Sequence, residues 1–228
     1  MFKSIFKAVA VSAVAAMFAV GVFAQSAGTF KDSRDGKTYK TVKIGSQTWF
    51  AENLNFSAKG SKCYGEGVAV ADDLDEDGDP INPTKLSNAE VQANCAKYGR
   101  LYDWETANKA CPAGFHLPSD DEWTALVNYA GGQENAGKKL KSKAGWNKNG
   151  NGTNDFGWSA LPGGRGNSGG YFYGAGSYGD WWSATERSAT EDEDAGAWYR
   201  GMSYINESVV IRGYDDVPLL FSVRCVQN

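Results

Sequence analysis

Carboxylates that could bind calcium are concentrated between residues 73 and 79. Aspartates occupy alternate positions there, with one glycine among them: Asp73, Asp75, Asp77, Gly78 and Asp79. Carboxylate oxygens arranged around such a turn are the ligands that Ca²⁺ prefers, as in the first half of an EF-hand loop. The twelfth position of that loop requires glutamate, but this chain has Thr84 there. The four aspartates are candidate calcium ligands, and the alternative is a solvated acidic loop.

A second set of candidate binding residues lies in the glycine-rich C-terminal half. Aromatic faces stack on sugars and anchor protein interfaces, and arginine binds carboxylates or amides. The candidate ligand-binding residues are Tyr171, Tyr173, Tyr178, Trp181, Trp198, Tyr199 and Arg200, with Arg212 close to them in sequence. We expect four of them to be exposed, namely Tyr171, Tyr173, Tyr178 and Trp181, and we expect Trp104, Trp158 and Trp182 to be core. The alternative is that all these rings fill space between glycine-rich loops.

Residues suited to catalysis are few. His116 is the single histidine, and its place beside a Leu-Pro turn favours a structural hydrogen bond over a role as a base. No glycine elbow surrounds a serine, as a serine nucleophile would require. The acidic run of Asp120, Asp121 and Glu122 resembles paired glycosidase carboxylates, but helix capping explains it. We therefore predict no catalytic residue and a protein that is not an enzyme.

Two capping boxes predict where two helices begin. In each, a serine precedes a glutamate by three residues: Ser87 with Glu90, and Ser119 with Glu122. The first helix is expected to carry Cys95 and to end at Gly99, since glycine commonly follows a helix. The second is expected to run to Tyr129, where two glycines follow.

Between these helices, a third is predicted from spacing. Trp104, Ala107, Ala110 and Cys111 recur every three or four residues, so they share one helical face. The proline at position 112 ends that helix. A short basic helix is expected over residues 134–141.

The remaining pattern is that of strands. Residues 37–50 read as a hairpin with a Gly-Ser turn at 45–46. Later strands are expected over residues 157–161, 180–185, 197–204, 208–211 and 221–226, and residues 65–84 form an acidic loop insert. Helices early and strands late, with a hairpin at the start, predict an α+β fold in which the two ends of the chain share one sheet.

The first 24 residues have the pattern of a signal peptide. Lys3 and Lys7 precede an apolar stretch over residues 8–22, and Ala24 ends a cleavage motif. The alternative is an uncleaved membrane anchor, but the stretch is short for a span. The four cysteines of an exported chain are expected to form two disulfides, for which three pairings are possible.

Composition limits the partners. The formal charge is −4 at pH 7, and loss of the two leader lysines makes it more negative. Nucleic acid and anionic membranes both require a basic face, so neither is expected as a partner. With no linker and no internal repeat, residues 25–228 are predicted to form a single domain. A secreted or cell-surface location follows from the leader.

The chain also resembles a known family. The resemblance is carried by residues 32–54, 94–123, 156–164, 181–185 and 221–226, with motifs such as NCAKYGRLYDWETANKACPAGFHLPSDDEW, FGWSALPGG, WWSAT and FSVRCV. They resemble the Fib-succ-major paralogous domain of exported proteins, abundant in fibre-degrading and related gut bacteria. That family is similar to C-type-lectin-like folds, a group that includes formylglycine-generating enzymes.

The resemblance implies a fold and a pairing of the cysteines. It implies a C-type-lectin-like domain with early helices on short, twisted antiparallel strands, long glycine-rich loops and disulfide bracing. In such folds the cysteine after the first long helix pairs with one in the last strand, which implies Cys111–Cys225 and leaves Cys63–Cys95. The aromatic loops correspond to the ligand surface of lectin-like folds. Residues 214–218 (YDDVP) resemble the second half of a lectin's calcium-and-sugar site, but the upstream Glu-Pro-Asn or Gln-Pro-Asp triplet is missing and Leu219 replaces the expected cysteine, so that route to sugar binding is not expected and a polar turn is the alternative.

Three functions remain open from the sequence. The first is an exported, non-catalytic binding module for a polysaccharide or a cell-surface protein. The second is an enzyme related to formylglycine generators, which use reactive cysteines, or one acting on glycans. The third is a structural or adhesive envelope protein without a small-ligand site.

Overall fold

A computed structural model describes residues 26–71, 75–76, 80–189, 195–206 and 210–228. These residues form a mixed α+β fold in which strands predominate. The helices are α1 (Asn88–Tyr98), α2 (Trp104–Ala110), α3 (Asp120–Tyr129) and α4 (Gln133–Leu140). The strands are β1 (Ala27–Lys31), β2 (Thr38–Ile44), β3 (Gln47–Phe50), β4 (Ala69–Ala71), β5 (Leu101–Tyr102), β6 (Phe115–His116), β7 (Gly163–Gly166), β8 (Tyr171–Ala175), β9 (Tyr178–Arg187), β10 (Gly196–Ser203), β11 (Ile211–Asp215), β12 (Phe221–Ser222) and β13 (Val226–Gln227).

The four helices begin and end close to where the sequence predicts. Both capping boxes are formed, with Glu122 accepting a 2.8 Å hydrogen bond from the Ser119 backbone N–H and donating its own N–H to the Ser119 hydroxyl. Ser87 and Glu90 make the same reciprocal pair at α1. Asp103 caps α2 through a 2.8 Å bond to the Thr106 N–H. Satisfying these orphan backbone donors fixes each helix start locally.

The strands agree with the sequence less well. The predicted hairpin over residues 37–50 is confirmed as β2 and β3. Residues 157–161 are not a strand, because the positive φ angles of Gly157 and Ser159 turn the chain away from an extended course. The predicted strand over 208–211 lies later, as β11, and residues 207–209 are outside the described ranges. The acidic insert is not wholly a loop, since β4 lies within it.

The strands form two sheets. The first has the order β1-β2-β3-β13-β6, so the two ends of the described chain share it, as predicted. The second follows the path β11-β10-β9-β7-β8-β4, with β12 joining β9 and β5. The expectation of antiparallel strands is wrong in part, because β4–β8, β7–β9 and β9–β12 are parallel pairs.

Strand β9 separates two packed regions. Trp181 belongs to a core with Trp49, Trp123 and Trp158, beneath α3 and α4. Trp182 belongs to a second core that includes the buried face of α2. Because neighbouring residues of a strand point to opposite faces, the two tryptophans reach both cores. Both faces of the sheet are therefore covered at this point.

Two disulfides brace the fold. Cys111 follows α2 and bonds to Cys225 just before β13, with a Cα–Cα distance of 5.8 Å. Cys63 bonds to Cys95 of α1, with a Cα–Cα distance of 4.9 Å. Both pairs agree with the predicted connectivity. Within the described ranges, no helix is both long and apolar enough to cross a membrane.

Candidate functional site

One face of the second sheet gathers polar and aromatic side chains that sit on different strands. The registers place Arg165 of β7 opposite Tyr173 of β8, and Asp180 of β9 opposite Gly201 of β10. On β9, Tyr178 shares the face of Asp180 because strand side chains alternate. With Tyr199 of β10, these residues form a surface that we call the tyrosine face. Its members are Arg165, Tyr173, Tyr178, Asp180 and Tyr199.

An ion pair forms the floor of the tyrosine face. Arg165 Nη2 lies 2.9 Å from Asp180 Oδ2, and the Asp180 side chain is only 3% exposed. The contact brings the two opposite charges together as an ion pair. In the described part of the chain, Asp180 Oδ2 and Arg165 Nε are buried without a hydrogen-bond partner. A buried polar atom without a partner costs free energy, so this pair has bonding capacity to offer a ligand or water.

Two glycines make room for this arrangement. A Cβ at Gly201 would lie 2.8 Å from Asp180 Oδ1, and one at Gly213 would lie 2.8 Å from the Tyr199 ring. Side chains at either position would displace the carboxylate or the ring. Small residues on β10 and β11 therefore keep the tyrosine face open.

Aromatic rings surround the guanidinium. The Arg165 Cζ lies 5.8 Å from the Tyr173 ring centre, 5.7 Å from Tyr178 and 5.5 Å from Phe221. The Phe221 ring also meets Tyr199 edge-on at 5.1 Å. Phe221 is fully buried, whereas the three tyrosines are half-buried. Phe221 thus supports rings that present part of their surface to solvent.

Burial perturbs the acids of this region. Burial raises the pKa of Asp180 to about 6, an effect that the charge of Arg165 partly opposes. Burial likewise raises the pKa of the Asp215 carboxyl at the end of β11. The Tyr173 and Tyr199 hydroxyls also have raised pKa values, chiefly because they are buried. Perturbed groups of this kind cluster at functional sites more often than elsewhere.

The predicted ligand-binding residues divide between this site and the scaffold. Tyr173, Tyr178 and Tyr199 come together as half-buried rings, and Tyr171 lies two residues before Tyr173 on the same side of β8. Trp198 faces the other way, where Arg212 stacks on its ring at 3.5 Å.

Two of the expected ligand contacts are wrong. Trp181 is fully buried rather than exposed, because α3 covers its side of the sheet. Arg200 is buried against the start of α3, where its Nη1 bonds Asp120 Oδ1 at 2.5 Å, so it is not available to a ligand. Trp158 and Trp182 are core as expected, and Trp104 is partly buried against the second core.

Sequence reasoning did not identify Arg165 and Asp180. Arg165 stands between glycines without a motif, and only the pairing of β7 with β8 and β9 brings it to the carboxylate. One signal was present, since Tyr178, Asp180 and Trp182 alternate with period two and therefore share a face.

Two other candidates can be placed. His116 forms hydrogen-bond contacts with Glu122 at 2.9 Å and with Asn228 at 2.7 Å, which confirms the predicted structural hydrogen bond. Among the predicted calcium ligands, Asp75 is exposed, whereas Asp73, Asp77 and Asp79 lie outside the described residues. In the ranges that are described, no group of three or more His, Cys, Asp or Glu could hold a metal ion. Calcium binding stays a prediction.

Comparison with known proteins identifies the family. A model of the Fibrobacter succinogenes major domain matches residues 42–227. The chain belongs to this family. The segment of this chain that matches the Fibrobacter succinogenes major domain contains the whole tyrosine face and all four cysteines. No curated protein and no solved structure matches the chain.

Proposed function

We propose that the protein is an exported, non-catalytic binding module that contacts a polysaccharide or a cell-surface protein through the tyrosine face. The observation that carries this proposal is the buried Arg165–Asp180 pair with unmet hydrogen-bonding capacity, ringed by half-buried tyrosines. Carboxylate and guanidinium bond hydroxyl and amide groups, and the rings stack on apolar faces. Two disulfides support export, because such bonds persist in oxidising compartments.

The fold that best supports this function is C-type-lectin-like. The two ends of the described chain share one sheet, and the Cys111–Cys225 bond ties the helix α2 to the chain just before the last strand. The disulfide agrees with what the family resemblance implies, and the shared sheet agrees with the predicted α+β layout. The family resemblance implies that the aromatic loops correspond to the ligand surface of lectin-like folds, which supports the choice of the tyrosine face.

An observation also argues against the thiol enzymes of that fold group. All four cysteines are in disulfides, so no thiolate is present at a loop for formylglycine-type chemistry. Asp180, the one carboxylate of the tyrosine face, is the group there through which a glycan-active enzyme would have to work. Its side chain is paired with Arg165 and is only 3% exposed, which suits recognition better than attack on a substrate.

A glycan and cell-wall array tests the proposal. The purified protein is compared with Tyr173→Ala, Tyr178→Ala and a control, Tyr129→Ala, whose exposed ring lies on α3 away from the tyrosine face. Loss of one stacking ring is expected to weaken binding about tenfold, while the control binds as the parent does. The array is run with and without Ca²⁺, which also tests the predicted aspartate ligands.

Each outcome has a separate meaning. Binding of a protein component in place of a glycan selects the second kind of partner. Hydrolysis of an arrayed glycan identifies an enzyme. Absence of any binding supports the structural or adhesive role and contradicts the proposal.

A further inference from the structure

A polar cleft borders the tyrosine face. It has a volume of about 480 Å³, and its lining includes Tyr64, Asn147, Lys148, Ser177 and Tyr204. This volume lies within the range of about 300–1,000 Å³ typical of ligand sites. The cleft lies between the short helical turn Asn147–Asn149 and the turn that joins β8 to β9.

The cleft and the tyrosine face share a ring. Tyr178 lies 5.7 Å from the Arg165 guanidinium on one side and meets the Tyr204 ring edge-on at 6.5 Å on the other. Ser177, next to Tyr178, lines the cleft. The contact between Tyr178 and Tyr204 therefore links the tyrosine face to the lining of the cleft, so one extended ligand could contact both.

The described lining of the cleft carries one charged side chain, Lys148. Among the described residues, no ion pair involves Lys148. Its ammonium lies 5.2 Å from the Tyr204 ring centre and 3.5 Å from the Tyr204 hydroxyl. An uncompensated cation beside hydroxyl and amide groups attracts an anionic, hydroxyl-rich ligand.

The backbone holds this lysine in an unusual conformation. Lys148 has φ 46° and ψ 39°, in the left-handed region that side chains other than Gly and Asn rarely adopt. The Asn147 N–H donates to Gly176 O, and the Asn147 amide donates to the Ser177 hydroxyl. Such strain persists only where surrounding contacts enforce it, and it concentrates at ligand sites. This conformation accompanies a lysine whose ammonium lies beside Tyr204, another residue that lines the cleft.

We propose that the ligand is an acidic polysaccharide whose carboxylate binds Lys148 while neighbouring sugar rings contact Tyr204, Tyr178 and the rest of the tyrosine face. This inference rests on the proposed function and specifies its ligand class. The cleft provides the selectivity for negative charge. The tyrosine face provides contacts that a neutral sugar would also make.

The test uses matched pairs of glycans that differ only in charge. Oligogalacturonate and its fully methyl-esterified form are measured by titration calorimetry, and an array adds other uronate polymers with their esters. The acidic form is expected to bind about fivefold more tightly than the ester, as for a partly exposed ion pair. Lys148→Met should abolish that difference, Lys148→Arg should retain it, and Lys43→Met, at an exposed position on β2, should leave it unchanged.

The contrary results are distinct. Equal affinity for acid and ester, with both lost in Tyr178→Ala, overturns the acidic ligand but leaves the binding module standing. An equal effect of Lys148→Met and Lys43→Met also overturns it, because the preference would then come from net charge. If no acidic glycan binds, this inference fails, and neutral glycans or proteins on the array decide the proposed function. Circular dichroism checks that each variant at Lys148, Lys43 and Tyr178 is folded.

Discussion

The two faces of the second sheet each hold an arginine–aspartate pair, and the two pairs are bonded differently. On the face covered by α3, Asp120 accepts from Arg200 through Oδ1 and from Arg212 Nε at 2.9 Å through Oδ2. Arg200 also donates to the Thr124 hydroxyl at 3.0 Å. On the tyrosine face, the Arg165–Asp180 pair leaves atoms of both partners without hydrogen bonds in the described chain.

The difference lies in what covers each face. A helix start brings a carboxylate, a carbonyl and a hydroxyl to Arg200, so the pair is complete without a ligand. The tyrosine face is covered only by rings, which offer few hydrogen-bonding atoms. The Arg200–Asp120 pair, which we call the completed pair, stabilises the scaffold. The Arg165–Asp180 pair keeps hydrogen-bonding capacity that can serve recognition.

The largest expected effect is on the completed pair. Asp120→Ala would leave Arg200, whose side chain is 3% exposed, as an uncompensated buried charge. We expect the free energy of unfolding to fall by about 3–5 kcal/mol, measured by urea denaturation at pH 7. Asp121→Ala, at an exposed position in the same helical turn, is the control and should cost about 0.5 kcal/mol or less. Equal costs for the two variants would remove the distinction between the faces.

On the tyrosine face, the contribution of Asp180 to the free energy of unfolding should depend on pH. The folded-state pKa of Asp180, about 6, lies above its ordinary 3.8, so folding favours the protonated carboxyl. The stability from this group is complete below pH 3.8 and is lost as pH rises through 6. Asp180→Asn, which mimics the protonated form, should remove this pH dependence while keeping a side-chain oxygen that can accept a hydrogen bond from Arg165.

The measurement is a pH series of urea denaturations on both proteins. The stability of the parent relative to Asp180→Asn should fall by about 2 kcal/mol between pH 4 and pH 7. A difference that does not vary with pH would show that Asp180 titrates normally. A rise with pH would show that the Arg165 ion pair outweighs the cost of burial.

The smallest effect is expected at the rim of the completed pair. Arg212 contacts Asp120, but its side chain is 43% exposed, and Arg200 still pairs with the carboxylate when Arg212 is removed. Arg212→Ala should therefore lower the free energy of unfolding by about 1 kcal/mol or less. Raising the salt concentration to 1 M should reduce this cost further. A loss as large as that of Asp120→Ala would mean that the two arginines act as one unit.

Local signals predicted the helices correctly. The capping boxes at Ser87 and Ser119 fixed two helix starts within a few residues because the bonds they make are local. The strands after residue 156 were predicted less well. Positive φ angles at Gly157 and Ser159 turn the chain where an apolar stretch suggested a strand.

The candidate site shows the same division. Three tyrosines were predicted from their type and region, and they do lie together. Trp181 was placed wrongly, because an alternating strand tells which residues share a face but not whether that face is covered. The Arg165–Asp180 contact joins strands β7 and β9, and no local pattern reports it.

The sequence by itself determined the family, the helix starts and the composition of the aromatic segment, because each depends on neighbouring residues or on recognisable motifs. It also supported both disulfide pairs, through the resemblance. Only the tertiary structure decided which rings are buried. It also decided that Arg200 finds hydrogen-bond partners within the protein, whereas Asp180 keeps a buried oxygen without one among the described residues. Those properties depend on what packs against each face of a sheet, and residues far apart in the chain provide that packing.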